Sequence, residues 1–397
     1  MINGQRVIDG PTETPRGLPL PVTGRALTSD PVVVKDEGAE LRQYPEIFRP
    51  GEEELGADEI RLTCCGSGNP IVRRAQAATS WLVELGNGER FVFDVGGGAV
   101  QNLWSLGISP AELDKVFLTH LHLDHVGDLH VIYDAMGWAR NTPLHVWGPS
   151  GYTEEMGTAA FCEHMWKAAL WHNESKSGHV PSSGAVIESH EFDYSQFGPD
   201  NPQLLVYEEN GVTISAFPTV HCIYGAVGYR LDWNGLSISF HGDGTPCSFE
   251  AEQVKGVDVM MHEAFLDAET FSRKAGIPLE TTESIVALHT TGERFGELCQ
   301  IAEPTLAVAY HYFLDDDTVD PFFELLRSTY DGPVVLAQDL TVINVTPEQI
   351  VNRLAETDLL HWPPPPPADK RGGEMAGLSE AEIPAWLQET VLASVGS

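Results

Sequence analysis

Val116-Phe117-Leu118-Thr119 runs straight into His120-Leu121-His122-Leu123-Asp124-His125. The apolar run predicts a strand, and four metal-binding side chains follow it within six positions. Imidazole and carboxylate donors together suit zinc, iron or manganese better than calcium or magnesium. His120 and His122 lie two apart, so an extended segment can point both at one ion. Asp124 and His125 then fall where a second ion could sit.

Three more strand-like runs end on residues of the same kind. Ile214 to Val220 leads into His221, Leu236 to Phe240 leads through His241-Gly242 into Asp243, and Leu306 to Tyr310 leads into His311. The candidate ligands are therefore His120, His122, Asp124, His125, His221, Asp243 and His311. Two ions that each keep an open position need about that many protein donors. Their placement suits an α/β chain, whose sites gather outside the carboxyl ends of strands.

The order H-x-H-x-D-H, distant His, Asp, final His resembles the metallo-β-lactamase superfamily over about residues 59–345. Asp94, in Phe91-Val92-Phe93-Asp94-Val95-Gly96, resembles that family's early structural Asp. The resemblance implies an α/β fold, a four-layer αβ/βα sandwich with its site at one edge between two sheets. It implies that His120, His122 and His221 hold one metal, that Asp124, His125 and His311 hold the other, and that Asp243 bridges them. Two divalent ions per chain follow, zinc first, with Mn2+ or Fe2+ as alternatives. Leu62 to Pro70, Met261-His262-Glu263-Ala264-Phe265 and, inexactly, His289-Thr290-Thr291 resemble motifs of the tRNase Z and arylsulfatase-like branch. By that likeness Glu263 orients His289, His289 is the general acid, and Asp124 orients the attacking hydroxide. The competing expectation is that His289 caps a helix over 292–302.

One departure bears on substrate. tRNase Z carries a tRNA-gripping arm between the distant His and the bridging Asp. Here 21 residues separate His221 from Asp243, and they read as a hairpin turning at Asn234-Gly235. Lys and Arg total 23 against 58 Asp and Glu, a net charge of −35, and no basic cluster stands out beyond Arg73-Arg74. Nucleic-acid binding rests on neutralising phosphates. The expectation is a dinuclear hydrolase of a small molecule, with no nucleic-acid and no membrane partner. Its electrophile would be an ester, phosphodiester, sulfate ester, lactone or activated aryl halide, the last as in the chlorothalonil dehalogenase type. The alternative is a tRNase Z-like phosphodiesterase. From another class comes an iron-dependent redox protein on the same fold, against which the full set of seven ligands argues.

The rest of the chain sets the frame. No apolar stretch suits a signal peptide or a membrane span. The six cysteines have no disulfide-like spacing, so a cytoplasmic setting with reduced thiols is expected. Cys222 is read as a small buried residue. Residues 1–58 read as an irregular arm, 59–347 as the catalytic domain, and 348–397 as an extension with five prolines at 363–367 and a helix from Leu378 to Val395. That detached helix suggests docking on a partner subunit, hence a homo-oligomer, a dimer, or equally a return onto its own body. Residues 136–200 form an aromatic-rich insertion placed to roof the site. Met165, Trp166 and Trp171, with His241, are the expected substrate-pocket residues, whereas Trp147 is expected in the core.

Overall fold

Ile60–Gly66, Ser80–Leu85, Val259–Glu263 and Leu306–Tyr310 are buried along their whole length. Strands covered on both faces need a layer on each side. The computed structural model supplies those layers. It describes residues 16–17, 32–358, 360–375, 377, 379 and 383–392, without the side chains of residues 16–17 and 135–139. The expectations for residues 1–15 and 18–31, for Leu378, residues 380–382 and 393–395, and for the side chains of Met136 and Trp138 lie outside the described residues.

Two sheets pack face to face, each half antiparallel and half parallel. The seven-stranded sheet runs 204–209, 212–218, 227–233, 236–241, 259–263, 306–310, 334–336. Its first four strands form an antiparallel meander and its last four pair in parallel. The ten-stranded sheet has Ile60–Gly66 and Ser80–Leu85 in its antiparallel half. Lys115–Phe117, Leu144–Pro149 and Ile187–Phe192 form its parallel half. Trp81, Phe91, Phe93, Phe117, Tyr229 and Phe240 fill the space between the sheets. Trp147 stacks on Phe117 with ring centroids 4.7 Å apart, in the core as expected.

Helices cover both outer faces. Ala99–Ser105, Leu129–Ala139 and Thr158–Ala168 lie over the ten-stranded sheet, where Leu103, Leu129, Ile132 and Cys162 share a core with Val92 and Val116. Ser248–Gln253, Gly292–Ala302 and Val319–Arg327 cover the other sheet through Ala251, Phe295, Leu298 and Phe322. This is the αβ/βα sandwich. The parallel halves matter most, because the carboxyl ends of Lys115–Phe117, Leu236–His241, Val259–Glu263 and Leu306–Tyr310 all face one edge.

The terminal segments are tied to the body. Gln349–Ala355 pairs with Thr341–Val345 and also receives Val32–Val34 and Ile47–Phe48, so the sheet continues past 347. After the proline run, Lys370 Nζ lies 2.9 Å from Asp114 Oδ2 and Ser182 N donates to Glu374 O at 2.8 Å. The spacer thus folds back on its own chain. The described helix of the tail is only Ala385–Gln388. Among the described residues no helix is long and apolar enough to cross a membrane.

Candidate metal centre and acid pair

The first ligands are aimed by their backbone. Lys115–Phe117 ends, Thr119 N donates to Asp94 Oδ1 at 2.8 Å, and His122 stays extended as the N-cap of the short helix Leu123–Val126. The turn brings His120 Nε2 within 3.1 Å of His122 Nδ1, and His221 Nε2 lies 3.3 Å from the same atom. Asp124 and His125 sit inside the helical turn and face the other way. His311 Nε2 is 3.2 Å from Asp124 Oδ2. His311 has φ 69° and Asp94 φ 53°, left-handed conformations that are uncommon for residues other than glycine and tend to cluster at functional sites.

Asp243 joins the two groups. Its Oδ1 lies 3.2 Å from both His125 Nε2 and His311 Nε2. Its Oδ2 lies 3.8 Å from His120 Nε2 and 3.9 Å from His221 Nε2. Gly242 permits this approach, since a Cβ there would meet Thr119 Oγ1 at 2.4 Å. Two donor sets result: His120, His122, His221 with Asp243, and Asp124, His125, His311 with Asp243, each with its ligand atoms within 4.8 Å of one another.

The donor chemistry fits divalent cations. His125 Nε2 and Asp243 Oδ1 are buried and make no hydrogen bond, which is costly unless something else satisfies them. Burial, together with the neighbouring His125, holds His120 well below the usual histidine range, and burial also lowers His122 and His221. They are neutral and ready to ligate at pH 7. Burial would lower His125 too, but Asp243 and Asp94 outweigh it and raise it well above the usual range. The negative potential that favours a proton on His125 is the potential that would draw a metal ion.

Glu263 organises the adjoining loop. Its Oε1 accepts from Thr290 N at 2.8 Å and Gly244 N at 3.2 Å, and its Oε2 lies 3.6 Å from His289 Nδ1. Phe265 stacks on the His289 ring at 4.6 Å. Burial would depress His289, but Glu263 and then Asp243 raise it to about 9. The helix Gly292–Ala302 has Thr291, not His289, as its N-cap. His289 faces the centre instead, with Nδ1 3.9 Å from Asp243 Oδ2.

The expected pocket residues are not brought to this centre. Met165 packs into the core beneath Thr158–Ala168, and Trp166 donates Nε1–H to Ala185 O at 3.3 Å over a separate cavity. Trp171 is 83% exposed. Thr158–Ala168 turns Met165 to the core and Trp166 toward Ala185, next to the edge strand Ile187–Phe192, while Trp171 lies on the following helix, Leu170–Lys176. His241 is fully buried behind the site. Its Nδ1 lies 3.8 Å from Glu250 Oε2, and His262 Nε2 lies 3.7 Å from Glu250 Oε1. The two histidines are register partners on adjacent strands. Cys222 is exposed rather than buried, with Sγ 3.4 Å from His221 Nε2. Sequence reasoning missed Glu250 altogether. It also missed Ile223 and Tyr224, which line a cavity of about 120 Å³ with His120, His122, His221 and Met156, the last from the insertion expected to roof the site. For Ile223 and Tyr224, adjacency to His221 was an available signal.

Comparison with known proteins agrees with this architecture. A family profile described as the metallo-beta-lactamase superfamily matches residues 73–193. The chain is 29% identical over 297 residues to a protein of Mycobacterium avium named Ribonuclease Z, covering 72% of this chain and 98% of that one. It is 26% identical over 302 residues to the Mycobacterium bovis protein of the same name, covering 73% and 100%. Among solved structures, the fold is shared with the metallo-beta-lactamase fold protein YhfI of Bacillus subtilis (TM-score 0.53, 17% identity, 72% of this chain and 100% of that one). It is shared equally with the short form of human tRNase Z (TM-score 0.53, 20% identity, 71% and 98%). Relatives of that name, matched over nearly their whole length, overturn the expectation of a small-molecule substrate and no nucleic-acid partner. The charge argument failed because −35 sums the whole surface. Contacts are local, and bound cations are the largest local charges in such a site.

Proposed function

We propose that this chain, which belongs to the metallo-β-lactamase superfamily, is a metal-dependent hydrolase that cleaves RNA phosphodiesters in the manner of ribonuclease Z. The observation that carries the reading is the pairing of the two donor sets around Asp243 with the Glu263–His289 couple beside them, in a chain whose full-length relatives bear that name. His120, His122 and His221 would hold one divalent ion, and Asp124, His125 and His311 the other, with Asp243 common to both. Zinc is the first candidate from the nitrogen-rich donors. Bound ions would supply Lewis acidity and bring the pKa of a water toward neutrality.

The chain's own groups do the rest. Asp124 accepts a hydrogen bond from water and orients its lone pair toward phosphorus. Glu263 Oε2 and Asp243 Oδ2 both face His289 Nδ1, the side of the ring turned to the centre, and together favour a protonated imidazole that can hand a proton to the departing oxygen. Asp94 keeps His125 turned toward Asp243. A cytoplasmic setting and a homodimer belong to the same proposal.

The test is cleavage of a tRNA precursor with a 3′ extension by protein reconstituted with zinc, manganese or iron(II). Specific cleavage at physiological salt with one of these ions is expected. No cleavage of any RNA phosphodiester with any of them would overturn the reading.

A further inference from the structure

A cavity of about 650 Å³ opens beside His289. It is bounded by Thr245–Ser248, by the segment 283–291 and by one side of Gly292–Ala302. Its wall includes Pro246, Val286, Ala287, Leu298 and Ile301. Its cation besides His289 is Arg294, which is already paired with Glu297 at 2.6 Å. With Glu283 and Glu297 on its rim against that single guanidinium, and an apolar wall set among the hydroxyls of Thr245, Ser248 and Thr291, it suits a sugar and base better than a run of phosphates. The opposite kind of opening adjoins His120, His122 and His221. It is small, about 120 Å³, and closed in by Met156, Ile223 and Tyr224.

The position of the acid gives these two openings different meanings. A group that protonates the departing oxygen must lie on the side from which the leaving fragment departs. His289 lines the large cleft and does not line the small cavity. We infer that the large cleft beside His289 is the subsite for the sugar and base of the leaving-side nucleotide. The inference rests on the nuclease reading of the same centre. It adds the polarity of the substrate strand and gives the grip a place: apolar contact in this cleft, where the hairpin Val227–Trp233 and Leu236–His241 leaves no arm between His221 and Asp243.

The cleft can be tested with and without catalysis. Ala287→Phe would fill it, and Ile301→Ala would thin its wall. Free adenosine, titrated into the purified protein and followed by calorimetry or by chemical shifts, is expected to bind wild type with a millimolar constant. Binding should weaken at least ~5-fold in both variants. With the metal-reconstituted enzyme, two diesters that yield the same nucleotide are compared, one with a nucleoside leaving group and one with methanol. Their ratio of kcat/KM is expected to favour the nucleoside, and Ala287→Phe should reduce that ratio ~10-fold while circular dichroism and Tm report a folded protein. No adenosine binding by wild type, or unchanged binding in both variants, would overturn the subsite even if RNA is cleaved. Adenosine binding lost in the variants, with no cleavage of any diester, would instead leave a nucleoside-binding cleft but remove the nuclease reading and, with it, the leaving-side assignment.

Discussion

Asp94 Oδ2 lies 2.7 Å from His125 Nδ1, and this contact decides which nitrogen His125 turns toward Asp243. The same carboxylate accepts from Thr119 N at 2.8 Å and from Thr119 Oγ1 at 2.7 Å, so one buried group fixes both the ring and the loop that starts the ligand cluster. Outer partners of this kind commonly set metal affinity by 10–100-fold.

Asp94→Ala should therefore weaken metal binding by ~10–100-fold and cost about 3–5 kcal/mol of stability, since it strands three buried donors. Chelator competition and denaturant titration would measure the two effects. Wild-type affinity in the variant would show that His125 needs no such orientation.

Asp243→Ala removes the one carboxylate common to both donor sets. Elemental analysis after dialysis is expected to fall from two ions per chain to one or fewer. Retention of both would remove Asp243 from its bridging role.

His289→Ala should retain its metals and its fold, because Thr291 and not His289 begins the helix Gly292–Ala302. Turnover of substrates with poor leaving groups should slow by ~10²-fold or more, and substrates with good leaving groups much less. An equal loss across a leaving-group series would leave His289 no part in proton transfer.

The Glu250 cluster predicts a pH dependence. Burial alone would raise Glu250, but His241 and His262 outweigh it and bring its pKa from 4.5 down to about 2. A depressed carboxylate contributes stability that is present above pH 4.5 and lost as pH falls through 2, here on the order of 3 kcal/mol. The stability difference between wild type and Glu250→Gln should be largest near neutral pH and shrink between pH 4.5 and 2. A difference independent of pH in that window would separate Glu250 from the two histidines.

Trp171→Ala should change neither KM nor Tm measurably, because the ring is 83% exposed and makes no contact with the metal ligands. A several-fold rise in KM would restore Trp171 to the substrate path.

What could be read from sequence follows from how local each signal is. His120 to His125 form one short run after a strand, and His221, Asp243 and His311 each end an apolar run, so the linear pattern names them. Met165, Trp166 and Trp171 form an aromatic stretch whose destination depends on which face of the helix meets the sheet, and linear order does not carry that. Glu250 meets His241 and His262 only through strand register and a following helix. The arm's absence was legible from the distance between His221 and Asp243, but the substrate was not, because total charge says little about one crevice.

Gln349–Ala355 completes the ten-stranded sheet and also carries Val32–Val34 and Ile47–Phe48. Arg353 closes this corner on Glu53, 300 residues earlier in the chain. During synthesis at ~5–20 residues per second, that early segment waits roughly 15–60 s for its partner to leave the ribosome. For that interval Val32-Val33-Val34 is an unpaired β-forming stretch. The clasp thus closes only when synthesis is nearly done, and a chain released before about residue 355 would leave that edge unlatched.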